Sequence, residues 1–192
     1  MKKGTILITL GLLLIAAALG LTGYNLWDNQ RAGKISGDVL EQLIPQVEES
    51  EIADYLLNPD MDMPAKSVES KEYVGVLSIP AIDRELPVFN EWNYDNLQIA
   101  PCRYYGTAYQ DNMVICAHNY DTHFGPIKTL NYGDSVIFTD MDGNVFRYEV
   151  EEVEILQPTE VEKFTHADAD LTLFTCTIGG QSRVTVRCQR MK

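Results

Sequence analysis

The chain has 192 residues, of which 28 are Asp or Glu and 15 are Lys or Arg, so its formal net charge is −13. This length suits one domain with an appendage, and the acidic balance excludes a protein that coats nucleic acid, because phosphate neutralisation needs clustered Lys and Arg. Apolar residues make up 45% of the chain, which is enough for a hydrophobic core and excludes global disorder.

The chain begins with an apolar run over residues 4–27, which contains no charged side chain. As a helix this run is about 36 Å long at about 1.5 Å per residue, enough to cross a hydrocarbon core of about 30 Å. Lys2 and Lys3 precede it and Asp28 follows it, so the positive-inside rule leaves the N-terminus in the cytoplasm. The sequence therefore predicts a single-pass protein of the cell membrane, anchored through residues 4–27, with its bulk outside the cell.

A cleavable signal peptide is the alternative interpretation of this segment, with Ala16, Ala17 and Ala18 as its small-residue cleavage site. The apolar run continues well beyond Ala18, which is longer than cleavage needs and favours the anchor. Both interpretations export residues 28–192.

Residues 28–72 are polar and acidic, and they carry an apolar stripe at helical spacing. The stripe consists of Val39, Leu40, Leu43, Ile44 and Val47. We expect Ser36 and Asp38 to cap the start of this helix and Pro45 to kink or divide it. The segment is predicted to be an acidic stalk or a helical appendage packed against the main domain, with its charges on a solvated face.

From residue 73 onward, short β-like runs follow one another, several with alternating apolar and polar residues. The predicted strands are residues 73–79, 85–89, 113–117, 135–139, 145–150, 152–156, 171–175 and 183–188. Met141-Asp142-Gly143-Asn144 lies between two of them and indicates a β-hairpin. Seven or eight short strands predict a mostly β domain, either an antiparallel barrel or a sandwich.

Three side chains that could carry chemistry stand at the ends of predicted strands. Cys176 follows the apolar run 171–175 and opens a glycine-containing loop, and His118 follows the apolar run 113–117. Arg183 begins the strand after that loop. If these strand ends meet, they supply a nucleophile, a general acid/base and a fixed cation, which together suit acyl transfer.

The remaining histidines and cysteines predict no metal site. The chain has no Cys-x-x-Cys pair, and His118 and His123 are five residues apart, which does not place them on one helical face. His123 and His166 are expected at the surface. Cys116 and Cys188 are expected to be small buried residues, while a disulfide such as Cys102 with Cys116 stays open, because export permits one.

The residues around the cysteine and the histidine resemble a known family. Thr172-Leu173-Phe174-Thr175-Cys176 is similar to the Thr-Leu-x-Thr-Cys signature of sortases, the cysteine transpeptidases of Gram-positive cell surfaces. Residues 114–119 resemble the strand and loop that carry the sortase histidine, and Arg183 stands seven residues after the cysteine, as the sortase arginine does. The first two predicted strands are also similar to those of sortases, so the resemblance covers residues 73–192.

The resemblance implies a closed antiparallel sortase-type β-barrel with short helices, as a catalytic domain over residues 73–192. Residues 1–27 then form the cytoplasmic tip and the transmembrane anchor, and residues 28–72 the stalk. No cofactor is expected, because no ligand spacing in the sequence argues for calcium.

The resemblance also implies a mechanism. Cys176 attacks a Leu-Pro-x-Thr-Gly-like sorting signal of a secreted surface protein and forms a thioester. His118 protonates the leaving amine and then deprotonates the incoming one, which belongs to a peptidoglycan precursor or a pilin. Arg183, which we favour over Arg187, donates to the substrate or to the oxyanion. The residues expected to bind substrate are Thr175, Asn119, Tyr120 and Ser182.

Two departures leave the sortase subclass open, namely Ala117 where many sortases carry Gly, and Pro101-Cys102-Arg103 in place of a more familiar Gly-and-His stretch. Two other functions also stay open. One is a cysteine endopeptidase that uses water as acceptor, and the other is a catalytically silent binding module, which the presence of all three reactive side chains disfavours. Four aromatic residues either wall a peptide groove or pack in the core, namely Trp92, Tyr104, Tyr105 and Tyr120.

Overall fold

A computed structural model describes residues 2–43, 53–165 and 168–191. Within these residues the helices are α1 Lys2–Leu43, α2 Asp54–Leu57, α3 Tyr94–Leu97 and α4 Val161–Thr165, with 3-10 turns at Pro80–Ile82 and Gly125–Thr129. The strands are β1 Lys66–Val68, β2 Lys71–Ile79, β3 Arg84–Phe89, β4 Cys102–Tyr105, β5 Met113–Cys116, β6 Ser135–Asp140, β7 Val145–Leu156, β8 Leu171–Cys176 and β9 Arg183–Arg190.

Helix α1 is one unbroken helix, so the helix start predicted at Ser36 and Asp38 was wrong. Both residues lie inside the helix, where Ser36 is buried and Asp38 is exposed. No proline stands between residues 1 and 44 to interrupt the hydrogen-bond ladder, so the apolar run and the stalk stripe continue as one helix. Pro45 and the end of the predicted stripe, Ile44 and Val47, lie outside the described residues.

The first part of α1 fits a single-pass membrane anchor. It contains a stretch with mean hydropathy 2.4, none of which is buried against the rest of the protein. Nothing else in the described structure packs against these apolar side chains. A bilayer is the environment that an exposed apolar helix of this length prefers.

The second part of α1 packs on the domain. Its buried residues recur at a spacing of three or four and therefore share one face of the helix. They are Ala32, Ser36, Val39 and Leu43. This face contacts β1, β2 and β3, so the end of α1 is held against the sheet.

The sheet closes on itself. Its strand order is β1-β2-β3-β4-β5-β8-β9-β7-β6, and β2 also pairs with β6, which makes an eight-stranded ring with β1 outside it. This confirms the predicted closed, mostly β barrel, but the barrel is not, as was expected, antiparallel throughout. Two neighbouring pairs are parallel, β3 with β4 and β5 with β8.

The predicted strands lie in β2, β3 and β5 to β9, whereas β1 and β4 were not predicted. Strand β7 is single where two strands were predicted, because a register shift between Val150 and Glu152 changes the alternation without ending the pairing with β9. The predicted hairpin joins β6 to β7, and the carboxylate of Asp140 accepts the backbone N–H groups of Asp142 and Asn144 in its turn.

Two apolar clusters hold the fold together. The barrel interior is filled by large side chains, among them Leu77, Phe138, Phe146 and Tyr148, each fully buried. A smaller cluster joins Val39 and Leu43 of α1 to residues on the outer face of the sheet. Those sheet residues are Val68, Tyr73, Phe89, Cys102 and Cys116.

Closure of the barrel depends on a close approach at Gly75. Gly75 on β2 lies opposite Asp140 on β6, and a Cβ at this position would overlap the ring of Phe138 and the carbonyl oxygen of Thr139. We expect Gly75→Ala to lower the free energy of unfolding by about 1–3 kcal/mol, because β2 and β6 must move apart. Thermal unfolding of the full chain in detergent micelles, followed by circular dichroism, measures this effect.

The matched control is Gly37→Ala, at an exposed helical position where a Cβ would meet nothing within 4 Å. This change is expected to leave stability unchanged or to raise it by up to about 1 kcal/mol, because Ala is the better helix former. Equal stabilities of the two variants would contradict the closure argument.

Candidate active site

Three strands bring the predicted reactive residues into one row. The last pair in the parallel register of β5 and β8 is Cys116 with Phe174, and the N–H of Ala117 still donates to the carbonyl oxygen of Phe174 at 3.2 Å. Continuing this register by two residues places His118 level with Cys176. Cys176 pairs directly with Arg183 on β9. Because neighbouring strands lie about 4.8 Å apart, the three residues occupy adjacent positions at one edge of the sheet.

Alternation along the strands turns these three side chains to the same face. The preceding odd-numbered residues of β5 and β8, and Ala117 directly after β5, belong to the barrel core; those on the strands are Met113, Ile115, Leu171 and Leu173. Since successive side chains point to opposite faces, His118 and Cys176 point away from the barrel interior. Arg183, directly opposite Cys176, shares that face. All three are half-buried, which leaves them open to a substrate.

The loop between β8 and β9 holds Arg183. Its Nη1 donates to the carbonyl oxygens of Gly180 at 3.0 Å and Ser182 at 3.1 Å. The N–H of Ser182 donates to Oγ1 of Thr177, whose own N–H donates back to the carbonyl oxygen of Ser182. The loop is thereby closed on itself next to Cys176, and two of its carbonyl oxygens hold the guanidinium of Arg183.

Arg187 shares the face of Arg183 but has a different environment. It pairs with Thr172, four residues before Cys176, and its side chain is buried. Its guanidinium donates to Oε1 of Glu154 at 2.9 Å, to Oγ1 of Thr172 at 2.9 Å and to the carbonyl oxygen of Lys163 at 2.6 Å. These three bonds tie β9 to β7, β8 and α4. Arg187 therefore stabilises the packing of these elements and is not free to act beside Cys176.

The four residues expected to bind substrate are placed differently from one another. Thr175 is buried and its hydroxyl donates to the carbonyl oxygen of Ala117 at 2.8 Å, which ties the ends of β8 and β5 together. Asn119 is exposed beside His118, and Ser182 is half-buried beside Arg183. Tyr120 is half-buried, and its hydroxyl bonds to Asp28 of α1.

Burial and one carboxylate act on His118 in opposite directions. Burial lowers the pKa of His118 below its ordinary value, and the negative charge of Asp28 raises it. Because burial is the larger effect, the neutral imidazole is favoured near neutral pH, and a neutral imidazole can accept a proton from a thiol. Asp28 was not predicted as a site residue, since it lies on a helix ninety residues before His118 and no motif connects the two.

His123 is fully buried, so its predicted place at the surface was wrong. The loop turns back after Tyr120 and packs the His123 ring against the Tyr120 ring, with centroids 5.4 Å apart. Burial, aided by the charge of His118, lowers the pKa of His123 to about 4. His123 is therefore neutral at neutral pH. The other histidine expected at the surface, His166, lies outside the described residues.

The four cysteines divide into one half-exposed and three buried thiols. Cys102 and Cys116 are opposite each other on β4 and β5, yet both thiols are free, so no disulfide joins them. Burial raises the pKa of Cys102 and Cys188 to about 12, and it raises that of Cys116 as well. Cys116 and Cys188 are buried, as the sequence predicted. Cys176 is the half-exposed thiol.

An aromatic groove adjoins the row. Trp92, Tyr104 and Tyr105 line a surface groove of about 420 Å³. The Tyr104 ring meets the ring of Phe174 edge-on, with centroids 5.3 Å apart, and Phe174 shares the outer face of β8 with Cys176. Of the two interpretations left open for the four aromatic residues, a surface groove applies to these three, whereas Tyr120 lies on the side of α1. In the described part of the chain, no three His, Cys, Asp or Glu side chains converge as metal ligands.

Comparisons with known proteins agree on one family. The family model of the sortase domain matches residues 77–191. Sortase A of Listeria monocytogenes is 29% identical over 123 residues, which cover 58% of this chain and 53% of that protein. Sortase A of Bacillus anthracis is 26% identical over 188 residues, which cover 92% of this chain and 89% of that protein. The chain thus spans about half the length of the Listeria relative.

A solved structure shows the same fold. The Sortase D5 transpeptidase of Clostridium perfringens superposes with a TM-score of 0.63 at 19% sequence identity, over 83% of this chain and 99% of that one.

The burial of the four thiols leads to a test by alkylation. In the folded chain, iodoacetamide is expected to label Cys176 alone, because the other three thiols are buried and held protonated. Intact-mass spectrometry counts the adducts, and peptide mapping locates them. Cys176→Ala should take up no label until the protein is denatured. Comparable labelling rates at Cys102 or Cys188 in the folded chain would contradict this assignment.

Proposed function

The chain belongs to the sortase family, whose members are cysteine transpeptidases, and we propose that it cleaves a Leu-Pro-x-Thr-Gly-like sorting signal through a thioester on Cys176 and transfers the acyl group to an amine. The observation that carries this proposal is the row of His118, Cys176 and Arg183 across β5, β8 and β9. A nucleophile, a proton carrier and a cation at adjacent positions are the groups that acyl transfer requires.

In the first half-reaction, Sγ of Cys176 attacks the carbonyl carbon of the Thr residue in the Thr-Gly bond of the signal. His118, neutral because of its burial, accepts the thiol proton as the carbon–sulfur bond forms. The carbon–nitrogen bond then breaks, and His118 returns the proton to the leaving amine. The products are a thioester on Cys176 and a free C-terminal fragment of the substrate.

Arg183 stabilises the charge that develops on the carbonyl oxygen in this step or holds the substrate backbone. Nη1 carries the two bonds to the loop, and a guanidinium has several further N–H donors that can turn to a substrate. A donor fixed by its own loop needs little reorganisation during the reaction, which is the condition under which such a contact accelerates acyl transfer.

In the second half-reaction, an incoming amine of a peptidoglycan precursor or a pilin attacks the thioester. His118 takes a proton from this amine as the new amide bond forms and the carbon–sulfur bond breaks. It then passes this proton to the departing thiolate, which restores the thiol of Cys176 and the neutral imidazole. Asn119, Tyr120 and Ser182 flank the row and are proposed to contact the substrates, with Thr175 contributing through the strand end that it supports. None of these steps calls for a bound ion, so no cofactor is proposed.

The proposed enzyme works outside the cell. Residues 4–27 cross the membrane with Lys2 and Lys3 on the cytoplasmic side, and residues 28–72 lead to a catalytic domain over residues 73–192. The sorting signal of a secreted surface protein and a cell-wall or pilin amine both occur in this compartment.

The decisive experiment incubates the full chain in detergent micelles with a library of sorting-signal peptides, with and without amine acceptors. Mass spectrometry is expected to detect an acyl adduct on Cys176 and, with acceptor, ligated product. Cys176→Ala should give neither. Cleavage that persists in this variant would refute the mechanism, and cleavage that never leads to ligation would assign the chain as an endopeptidase.

A second test separates the two arginines of the shared face. Arg183→Ala is expected to slow acylation by about 10²–10³-fold with the melting temperature unchanged, because it removes a donor from the reacting carbonyl. Arg187→Ala is expected instead to lower the free energy of unfolding by about 1–3 kcal/mol, because Glu154 and Thr172 lose their partner. Stopped-flow acylation and thermal unfolding measure the two effects, and the reverse pattern would exchange the two assignments.

A further inference from the structure

A contact between α1 and the loop after β5 lies beside the row. Oδ2 of Asp28 accepts a hydrogen bond from the Tyr120 hydroxyl at 2.7 Å. The Tyr120 ring packs against the imidazole of His118, with centroids 5.0 Å apart and ring planes inclined by 50°. A single aromatic ring therefore connects a carboxylate of the membrane-anchoring helix to the histidine of the row.

The carboxylate of Asp28 is held at both oxygens. Oδ1 accepts hydrogen bonds from Nη2 of Arg31 at 2.8 Å and Nε at 3.1 Å, while Oδ2 accepts from Tyr120. The Tyr120 hydroxyl and the Arg31 guanidinium lower the pKa of Asp28, so it is ionised at neutral pH. The group thus has a fixed position and a permanent charge.

The next residue of α1 also holds the loop that carries His118. Oγ1 of Thr122 donates to the carbonyl oxygen of Asn29 at 3.1 Å, and the N–H of Thr122 donates to Oδ1 of Asn29 at 3.3 Å. Gly33, one helical turn farther, lies so close that a Cβ there would come within 2.6 Å of the Thr122 methyl group. Asp28 is therefore part of a docked surface rather than an isolated contact.

The charged and titratable groups around His118 come from several elements. They are Asp28 and Arg31 of α1, Tyr120, Asp121 and His123 of its own loop, Cys176 of β8 and Arg183 of β9 in the neighbouring positions of the row, and Arg84 of β3, whose guanidinium donates to the carbonyl oxygen of Asp121. Among them, Asp28 is the carboxylate whose charge favours the protonated form of His118.

We propose that Asp28 is a positioning residue for His118: it holds the Tyr120 ring against the imidazole and supplies the negative charge that stabilises the imidazolium formed during proton transfer. This inference rests on the proposed function, because it concerns the proton that His118 carries between Cys176 and the amine. The carboxylate acts through Tyr120 and need not touch the substrate.

In this arrangement the docked helix α1 acts on the proton transfers of His118 through Asp28. During acylation His118 becomes positively charged when it takes the thiol proton, inside a site where burial disfavours that charge. The charge of Asp28 offsets part of this cost at each proton transfer. A change of Asp28 should therefore alter the titration of His118 and the rate, while the contacts of Asn29 keep the helix in place.

The test compares Asp28→Asn with Asp38→Asn in the full chain in detergent micelles. Asp28→Asn keeps the size of the side chain and removes its charge. Asp38 is an exposed residue of the same helix, about 15 Å farther along, so Asp38→Asn makes the same change of net charge away from the site. The titration of His118 is followed by NMR of chain labelled with ¹⁵N-histidine, and acylation is followed by mass spectrometry.

Asp28→Asn is expected to shift the His118 titration to lower pH, because the charge that raised the pKa is lost. The limb of the pH–rate profile that reports His118 should move in the same direction, and kcat/KM for acylation should fall by about tenfold. Asp28→Glu should restore part of the His118 titration shift and part of the acylation rate. Asp38→Asn should match the unchanged chain in both quantities. Tyr120→Phe removes the hydroxyl and should reproduce part of the shift.

An active Asp28→Asn variant whose His118 titrates as in Asp38→Asn would overturn the positioning role and leave the proposed function standing. A wild-type chain that forms no acyl adduct on Cys176 would instead refute the proposed function and, with it, the role given to Asp28. A fall in rate at an unchanged His118 titration would also overturn the proposal, because a purely structural contact would give that result.

Discussion

The parallel pairing of β5 with β8 is the constraint on which the proposed active site depends. Parallel strands end at the same edge of a sheet, so the residues after β5 and at the end of β8 meet there although more than fifty residues separate them. The antiparallel pairing of β8 with β9 then brings Arg183 to Cys176 across a short loop. One crossover and one hairpin thus assemble three side chains that no local segment could bring together.

Core packing determines which way these side chains face. Each inward residue of β5 and β8 fills the barrel, and a register slip of one residue would turn Cys176 into the core and expose its neighbour. Thr175 adds a specific bond to this packing, because its buried hydroxyl ties the end of β8 to Ala117, directly before His118. The packing that stabilises the barrel at these positions therefore also orients the side chains of the site.

Local patterns predicted much of this fold. Alternation located the strands that form β2, β3 and β5 to β9, and the Asp142-Gly143 turn located the hairpin, because both signals arise within a few residues. The bulge in β7 was read as a break, since the alternation does change there while the pairing continues. The order of the strands in the sheet and its two parallel pairs were not predicted, because pairing over long separations leaves no local pattern.

The residues of the site that stand at strand ends could be predicted. The contacts that depend on how α1 packs on the loop after β5 could not. His118, Cys176 and Arg183 each follow or begin an apolar run, so their common position could be anticipated. The burial of His123 and the contact of Asp28 with Tyr120 could not, because both exist only where α1 meets the loop after β5. The sequence favoured Arg183 over Arg187, but the partners of Arg187 on β7, β8 and α4 could not be anticipated.

Because α1 is unbroken, the proposed membrane span continues directly into the contact beside His118. The apolar run ends at Trp27, and the next residue, Asp28, already bonds to Tyr120 beside His118. Because a helical turn rises only about 5.4 Å, the histidine lies within a turn or two of the point where the helix leaves the bilayer in the proposed topology. A rigid helix that packs on the domain cannot act as a long tether. In the proposed topology, the docked face of α1 therefore fixes both the height of the candidate site above the membrane and the surroundings of His118.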